Sequence, residues 1–232
     1  MEEDGTMSRG LRGGIAGLLA LTIAVLFCAV EQVAAQPPAK KTPAIDPEHP
    51  LAPALDHAYK ARVALAEIRD YSATFSKREF IGGELKTASM NLKLREEPFS
   101  VYLHYGKPNE GREVIYVAGR NNNQLFVHET GLSRLVGTIS LVPNGEQAMA
   151  ENRYPITMIG LRGMLDRIIE QWEAEGEFAE TNVKYYPNAK LGKRECRVIE
   201  STHPQPRKQF KFQMTRLFID KELGVAVRVE QY

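Results

Sequence analysis

The hydrophobic period of the chain changes several times along its length. Leu51, Ala54, Ala58, Ala61, Leu65 and Ile68 recur at helical spacing, with Asp56, Lys60 and Glu67 opposite them and Val63 the one apolar exception there. That stripe predicts an amphipathic helix ending near Asp70 and packed on a core. From Tyr71 the period becomes two: Tyr71, Ala73 and Phe75 alternate with Ser72, Thr74 and Ser76. Gly82-Gly83 supplies a hairpin turn, because glycine accepts positive φ without steric cost. On the return strand Met90, Leu92 and Leu94 alternate with Asn91, Lys93 and Arg95. Pro98 cannot donate to a ladder, so the chain turns there, and Glu96-Glu97 reads as a solvated corner. Alternation resumes in Phe99, Val101, Leu103 and Tyr105.

Further strands are predicted in EVIYVAG, QLFVHET and RLVGTISLV, with Asn121-Asn122-Asn123 and Asn144-Gly145 as turns. A second helix follows Pro155, because Leu161, Met164, Leu165, Ile168, Ile169 and Trp172 fall at helical spacing. Gly160 and Gly163 weaken its first turns by about 1 kcal/mol each relative to alanine, which marks them as mobile. Strand patterns return in FAETNVKYY, RECRVIEST, KQFKFQMTRLFI and GVAVRVEQY. About ten strands and two helices result. The fold class is α+β and β-rich: one large curved antiparallel sheet with helices over its concave face. Two helices cover only part of so large an apolar face, which leaves a hollow between the layers.

The N-terminus reads as an export signal. Arg9 and Arg12 precede an apolar run, Ile15 to Val30, and Val33-Ala34-Ala35 offers small residues for cleavage after Ala35. The run is 16 residues long, below the roughly 20 needed to span a bilayer. An uncleaved anchor is the alternative. Phe27 before Cys28 argues against lipidation at that cysteine. Residues 36–50, with Pro37, Pro38, Pro43 and Pro47, read as a disordered linker, and 51–232 as a single domain. The protein is expected in the periplasm or secreted, with no stable membrane anchor. Without its first 35 residues the chain keeps 28 basic and 25 acidic side chains of interspersed sign. No clustered basic face points to nucleic acid. Cys196 is then alone, and it is either buried and inert or paired between chains.

Catalytic patterns are missing from the sequence. His49, His57, His104, His128 and His203 are scattered, and no pair has the spacing of metal ligands. Ser133 and Ser140 lack a nucleophile elbow, and Gly82-Gly83 is not followed by a helix. No metal, cofactor or enzymatic activity is expected. Ordinary apolar side chains can still make a ligand site. Phe75, Leu92, Leu94, Phe99, Val101 and Phe212 on the sheet, with Met158 and Met164 on the covering segment, are the candidate lining. The alternative is that the same side chains are plain core.

The order of features resembles the LolA and LolB superfamily of periplasmic lipoprotein carriers, and most closely a related family of secreted bacterial proteins without assigned function. The stretches that carry the likeness are YSATFSKREFIGGELKTASMNLKLREEPFSVYLHY, VIYVAGRNNNQLFVHE, YPITMIGLRGML and LFIDKELGVAVRVEQY. The resemblance implies an incomplete β-barrel, a helical lid over an apolar cavity, and a lipid or lipoprotein acyl chain as partner. It also implies a lid latch at Arg95, here with Glu96 and Glu97 between the arginine and Pro98. The family pattern runs on past VAVRVEQY, whereas this sequence stops at Tyr232. Either the domain continues, or Val225 to Tyr232 is an open edge that invites a protein partner. The function expected is an exported carrier or sensor of an apolar ligand. The alternatives are an interaction module built on that edge, or an enzyme without a recognisable motif.

Overall fold

The computed structural model describes residues 45–131, 137–178 and 180–232. The expected signal segment and most of the linker lie outside these residues. In chain order the elements are α1 (Ala52–Ala66), β1 (Asp70–Ile81), β2 (Glu84–Arg95), β3 (Ser100–Tyr105), β4 (Glu113–Val117), β5 (Leu125–His128), β6 (Thr138–Leu141), α2 (Glu146–Met149), α3 (Leu161–Glu175), β7 (Asn182–Leu191), β8 (Arg194–Thr202), β9 (Met214–Asp220) and β10 (Ala226–Gln231). Short 3-10 turns stand at Asn121–Asn123 and Ile156–Met158.

All strand pairs are antiparallel, and they form two open sheets: β1-β2-β3-β4-β5-β6 and β10-β9-β8-β7. The expected α+β, open-barrel class is observed, with the strands divided between β6 and β7 where the sequence suggests one sheet. The meander breaks where α2, the 3-10 turn and α3 intervene. Each sheet then builds its own core. The period-two pattern of β2 becomes strict burial on one face, with Met90, Leu92 and Leu94 buried and Asn91, Lys93 and Arg95 exposed. Register extends that face sideways into one apolar row through the whole sheet, from Ala73 through Leu92, Leu103, Val114 and Val127 to Ile139.

Both long helices belong to the second core. Ala54, Ala58 and Ala61 of α1 are 0–1% exposed and allow close approach to α3, whose Trp172 is fully buried. These helices pack with Ile199, Leu217 and Ala226 of the second sheet. The indole N–H of Trp172 donates to Ser201 Oγ at 3.0 Å, which satisfies the one polar group that so large a ring buries. The segment between β6 and α3 covers the first sheet instead: Ala148, Ile156 and Ile159 pack against its core.

Two boundaries differ from the sequence reading. Residues 45–50, read as the linker's end, fold onto the domain. Ile45 packs against the helical core, and His49 Nε2 lies 2.9 Å from the Phe178 carbonyl while its Nδ1 accepts the Leu51 N–H at 3.1 Å. β9 begins at Met214 rather than near Lys208. Its ladder with β8 starts at the Thr202–Met214 pair, and only Gln213 before it is tied on, accepting the His203 N–H at 2.9 Å and donating to the Tyr232 carbonyl at 2.7 Å. Phe210 stacks instead on the His203 ring with centroids 3.6 Å apart. The asparagine turn is as expected, with Asn121, Asn122 and Asn123 all at positive φ.

Candidate functional site

A cavity of about 1740 Å³ lies between the face of the first sheet, the covering segment and β10. Its floor is the apolar row just described, from Ala73 to Ile139, together with Phe75, Met90 and Tyr105, which also stand in register across β1, β2 and β3. The floor is sunken, since Leu92 and Leu103 are 3% and 4% exposed. The rim is open and apolar: Phe80, Leu85, Met158, Leu223 and Tyr232 are each 37–65% exposed and border the cavity. β1 and β10 are both sheet-edge strands, and both border it.

The predicted lining residues divide into two groups. Phe75, Leu92, Met158, Met164 and Phe212 border the cavity. Leu94, Phe99 and Val101 lie in the same core but away from the cavity, where Phe99 packs near Tyr116 with ring centroids 6.3 Å apart. The dividing line runs between Leu92 and Leu94, two residues apart on one face. The physical cause is Gly160. A Cβ at this position would stand 2.5 Å from Leu94 Cδ1 and 2.8 Å from the Tyr71 hydroxyl. The backbone of the covering segment therefore lies directly on Leu94, and only glycine permits that approach. Gly160 is also the N-cap of α3, at φ 106° and ψ 172°, a region open essentially to glycine alone. Gly163 is equally constrained, with a would-be Cβ 2.4 Å from the Met158 carbonyl oxygen. The two glycines thus mark a close-packed junction rather than a loose helix start.

This junction is tied by side chains from three elements. The Tyr71 hydroxyl accepts the Leu161 N–H at 2.8 Å. Burial is the main cause that pushes the Tyr71 phenol up to about 12; the Leu161 N–H opposes it and the Glu96 carboxylate adds to it. Arg162 Nε donates to Glu96 Oε2 at 3.1 Å, and its Nη2 donates to the Leu65 carbonyl at 3.2 Å. The end of α1, the β2–β3 corner and the start of α3 thereby share one guanidinium. Glu96 is therefore half-buried and ion-paired, not the solvated corner residue that its Glu-Glu-Pro setting suggests. Arg95, the expected latch, is exposed on the outer face of β2 and donates to Ser100 Oγ at 3.1 Å, so the group that reaches α3 from this corner is Glu96. Tyr71, Glu96, Gly160 and Arg162 were not among the sequence-derived site residues.

The far end of the covering segment is pinned to β1. Lys77 Nζ donates to the Glu151 carbonyl at 2.6 Å and also to Asn152 Oδ1. Arg112 Nη1 donates to Glu151 Oε2 at 2.9 Å, and Arg153 Nη2 donates to the Phe80 carbonyl at 3.1 Å. That last bond uses a carbonyl at the end of edge strand β1. The covering segment is thus a strap fastened at both ends over the sheet.

Among the described residues no group of three or more His, Cys, Asp or Glu could hold a metal, and no helix is long and apolar enough to cross a membrane. Cys196 is fully buried as a free thiol, and burial pushes its pKa up. β10 stands at the edge of its sheet, with β9 as its one neighbour.

No curated protein matches the chain. Among solved structures it is similar to a DUF1329 family protein from Desulfovibrio piger, at 12% identity over 79% of this chain and 74% of that one, with a TM-score of 0.38. It is also similar to a putative outer membrane lipoprotein-sorting protein domain from Vibrio parahaemolyticus, at 14% identity, coverage of 77% and 71%, and a TM-score of 0.34. A LolA superfamily protein from Nitrosomonas europaea matches at 12% identity, coverage of 76% and 70%, and a TM-score of 0.27. The model of the family described as "protein of unknown function (DUF1571)" matches residues 68–232. That span takes in all ten strands and the whole cavity floor, and the chain belongs to the DUF1571 family.

Proposed function

We propose that this protein is an exported, non-enzymatic carrier or sensor of an apolar ligand, a lipid or a lipoprotein acyl chain, held between the first sheet and its strap. The single observation that supports this most is the cavity of about 1740 Å³ over an apolar row six strands wide. Small-molecule pockets typically measure about 300–1,000 Å³, so this space suits a long or branched hydrocarbon. Its floor is made of Ala, Leu, Val, Ile, Phe and Met with the one tyrosine Tyr105, and such side chains bind by excluding water and need no motif. A chain of about 16 carbons gains on the order of 12 kcal/mol gross at about 0.8 per buried CH₂. Association costs of about 4–15 kcal/mol then leave affinity that depends on how well the walls close. Phe75 and Leu92 are assigned to the sheet side of the ligand, Met158 of the strap and Met164 of α3 to the opposite side, where methionine adapts to varied shapes, and Phe212, which precedes β9 and lies beside Arg153, to the rim. Leu94 is assigned to the seat of the strap, and Phe99 and Val101 to the packed core beside it.

Native mass spectrometry of the protein purified from the exported fraction tests this. Co-purifying lipid, lost in a Phe75→Ala/Phe80→Ser variant that still folds by circular dichroism, is the expected result. A clean apo mass that stays unchanged when lipids are added overturns the reading. Strand addition by a protein partner at the open edge of β10 is the second reading, and in that case the bound species is a polypeptide.

A further inference from the structure

The full chain is almost neutral, with 30 basic and 29 acidic side chains. The cavity lining is not: eight basic residues stand against four acidic ones. Several of these are locally neutralised. Lys77 pairs with Glu79, Arg112 with Glu129 and Glu151, Arg194 with Asp220, and Arg228 with Glu230. Arg78, Arg153, Arg167 and Lys193 are the lining cations without an ion pair among the described residues, and two of them, Arg153 and Arg167, stand with Lys211 around two aromatic rings. Arg167 lies over the Tyr154 ring, 4.2 Å from its centroid, and Lys211 Nζ is 5.4 Å from the same centroid. Lys211 is also 5.5 Å from the Phe212 centroid, and Arg153 is 5.9 Å from it. Two rings thus hold three cations, and Arg153, Tyr154, Arg167 and Phe212 all border the cavity.

None of these three cations forms an ion pair among the described residues. The half-buried Arg167 uses one N–H, from Nη1 to the Met158 carbonyl at 2.8 Å. A guanidinium has five N–H donors in a planar fork, so most of them are unspent. Glu170, Glu79 and Asp166 act on Arg167 only through space. Glu79 Oε2 is itself taken by Lys77 at 3.2 Å and by the Arg153 backbone N–H at 3.3 Å. A partly desolvated cation at the rim of an apolar cavity, without a carboxylate partner, fits an anion supplied by the ligand. The guanidinium fork matches phosphate oxygens two at a time.

We propose that the ligand is an anionic amphiphile whose phosphate-type head is held by Arg153, Arg167 and Lys211, with its hydrocarbon on the sheet floor. This assignment rests on the carrier reading above and adds the head group to it.

The test uses two probes that differ in the phosphate alone: 1-palmitoyl lysophosphatidic acid and monopalmitoylglycerol, both below their micellar concentrations, titrated calorimetrically into the mature protein. Glycerol phosphate serves as a third probe without the chain. The expected result is that the phosphorylated lipid binds about tenfold or more tightly than its neutral counterpart. That preference falls to about threefold or less in Arg153→Gln/Arg167→Gln/Lys211→Gln and at about 0.5 M salt, where the Debye length shrinks to a few ångströms. Lys211→Gln alone alters only an exposed side chain, so a reduced preference there stands free of any folding defect. Arg167→Lys keeps the charge and loses the fork, and is expected to fall between. Equal affinity for both lipids overturns the head-group assignment and leaves the carrier reading in place. Binding of neither overturns the carrier reading itself. Glycerol phosphate binding as tightly as the phosphorylated lipid overturns the amphiphile and leaves a site for free phosphate esters.

Discussion

Replacing Gly160 with alanine tests whether the strap is seated by close backbone contact. Two costs follow from the geometry. At φ 106° and ψ 172° the backbone sits where an L-residue is strained, by about 1–3 kcal/mol. The new Cβ would also stand 2.5 Å from Leu94 Cδ1 and 2.8 Å from the Tyr71 hydroxyl. Leu94 is 3% exposed in a packed core, so its Cδ1 retreats only by giving up other contacts, and the tyrosine oxygen is committed to the Leu161 N–H. Overpacking of this kind costs about 1–3 kcal/mol more, for a central sum of about 4. At about 2–4 °C per kcal/mol for a domain of this size, Tm falls by about 8–16 °C. Gly83→Ala is the matched control. Gly83 also has positive φ, 85°, but a Cβ there meets nothing within 4 Å. It carries the backbone term alone, about 1–2 kcal/mol, or about 2–8 °C. Scanning calorimetry of both variants measures the difference, which holds the steric term together with the difference in backbone strain between the two sites. A Gly160→Ala shift no larger than that of Gly83→Ala would refute the close seating of the strap.

Tyr71→Phe removes the acceptor of the Leu161 N–H and is expected to cost about 1–2 kcal/mol in urea unfolding; a neutral result shows that water replaces the hydroxyl. Glu175 is buried with Oε2 unpartnered, 3.4 Å from His203 Nε2 through Oε1, and burial raises its pKa although Gln171 and His203 pull it down. A carboxylate raised in the folded state contributes stability that is complete below its unfolded value, about 4.3, and lost as pH rises through the folded one. Glu175→Gln, a mimic of the protonated form, should therefore match or exceed the wild type in stability at pH 8, with the gap closing toward pH 4; a gap that widens on acidification contradicts the burial argument. Cys196 is fully buried with a raised pKa, so a thiol reagent should modify it only at the rate of unfolding and no intermolecular disulfide should form in the native protein. Labelling faster than unfolding places the thiol at the surface.

The strands were legible because burial on one face writes itself as a period of two. The pattern of β2 and β3 gives their inner faces residue by residue. α1 and α3 were legible for the same reason at their own period. The division into two sheets was not, because alternation reports which side of a strand is dry and nothing about which neighbour it takes. The linker's last residues escaped because the partners of Ile45 and His49, at Gly176 and Phe178, are far along the chain. Arg95 and Glu96 are adjacent charges at a corner, and only the arrival of Arg162 from another element distinguishes the exposed one from the paired one.

The limit is sharpest at Leu92 and Leu94. They are the same residue type, on the same strand and face, and equally buried at 3%. One borders the cavity and the other is pressed under the strap. Nothing in β2 can encode that difference, because it is imposed from 66 positions away by the absence of a side chain at Gly160. The strap itself has neither a helical nor a strand period, since its turns are held by Lys77, Arg112 and Tyr71 rather than by a packed face of its own. Local pattern therefore specifies the walls of such a cavity, while its extent is set by a few long-range polar ties and one glycine. The same logic applies to the cluster of Arg153, Arg167 and Lys211. These three cations are scattered in sequence, and it is Tyr154 and Phe212, both at the border of the hollow, that gather them.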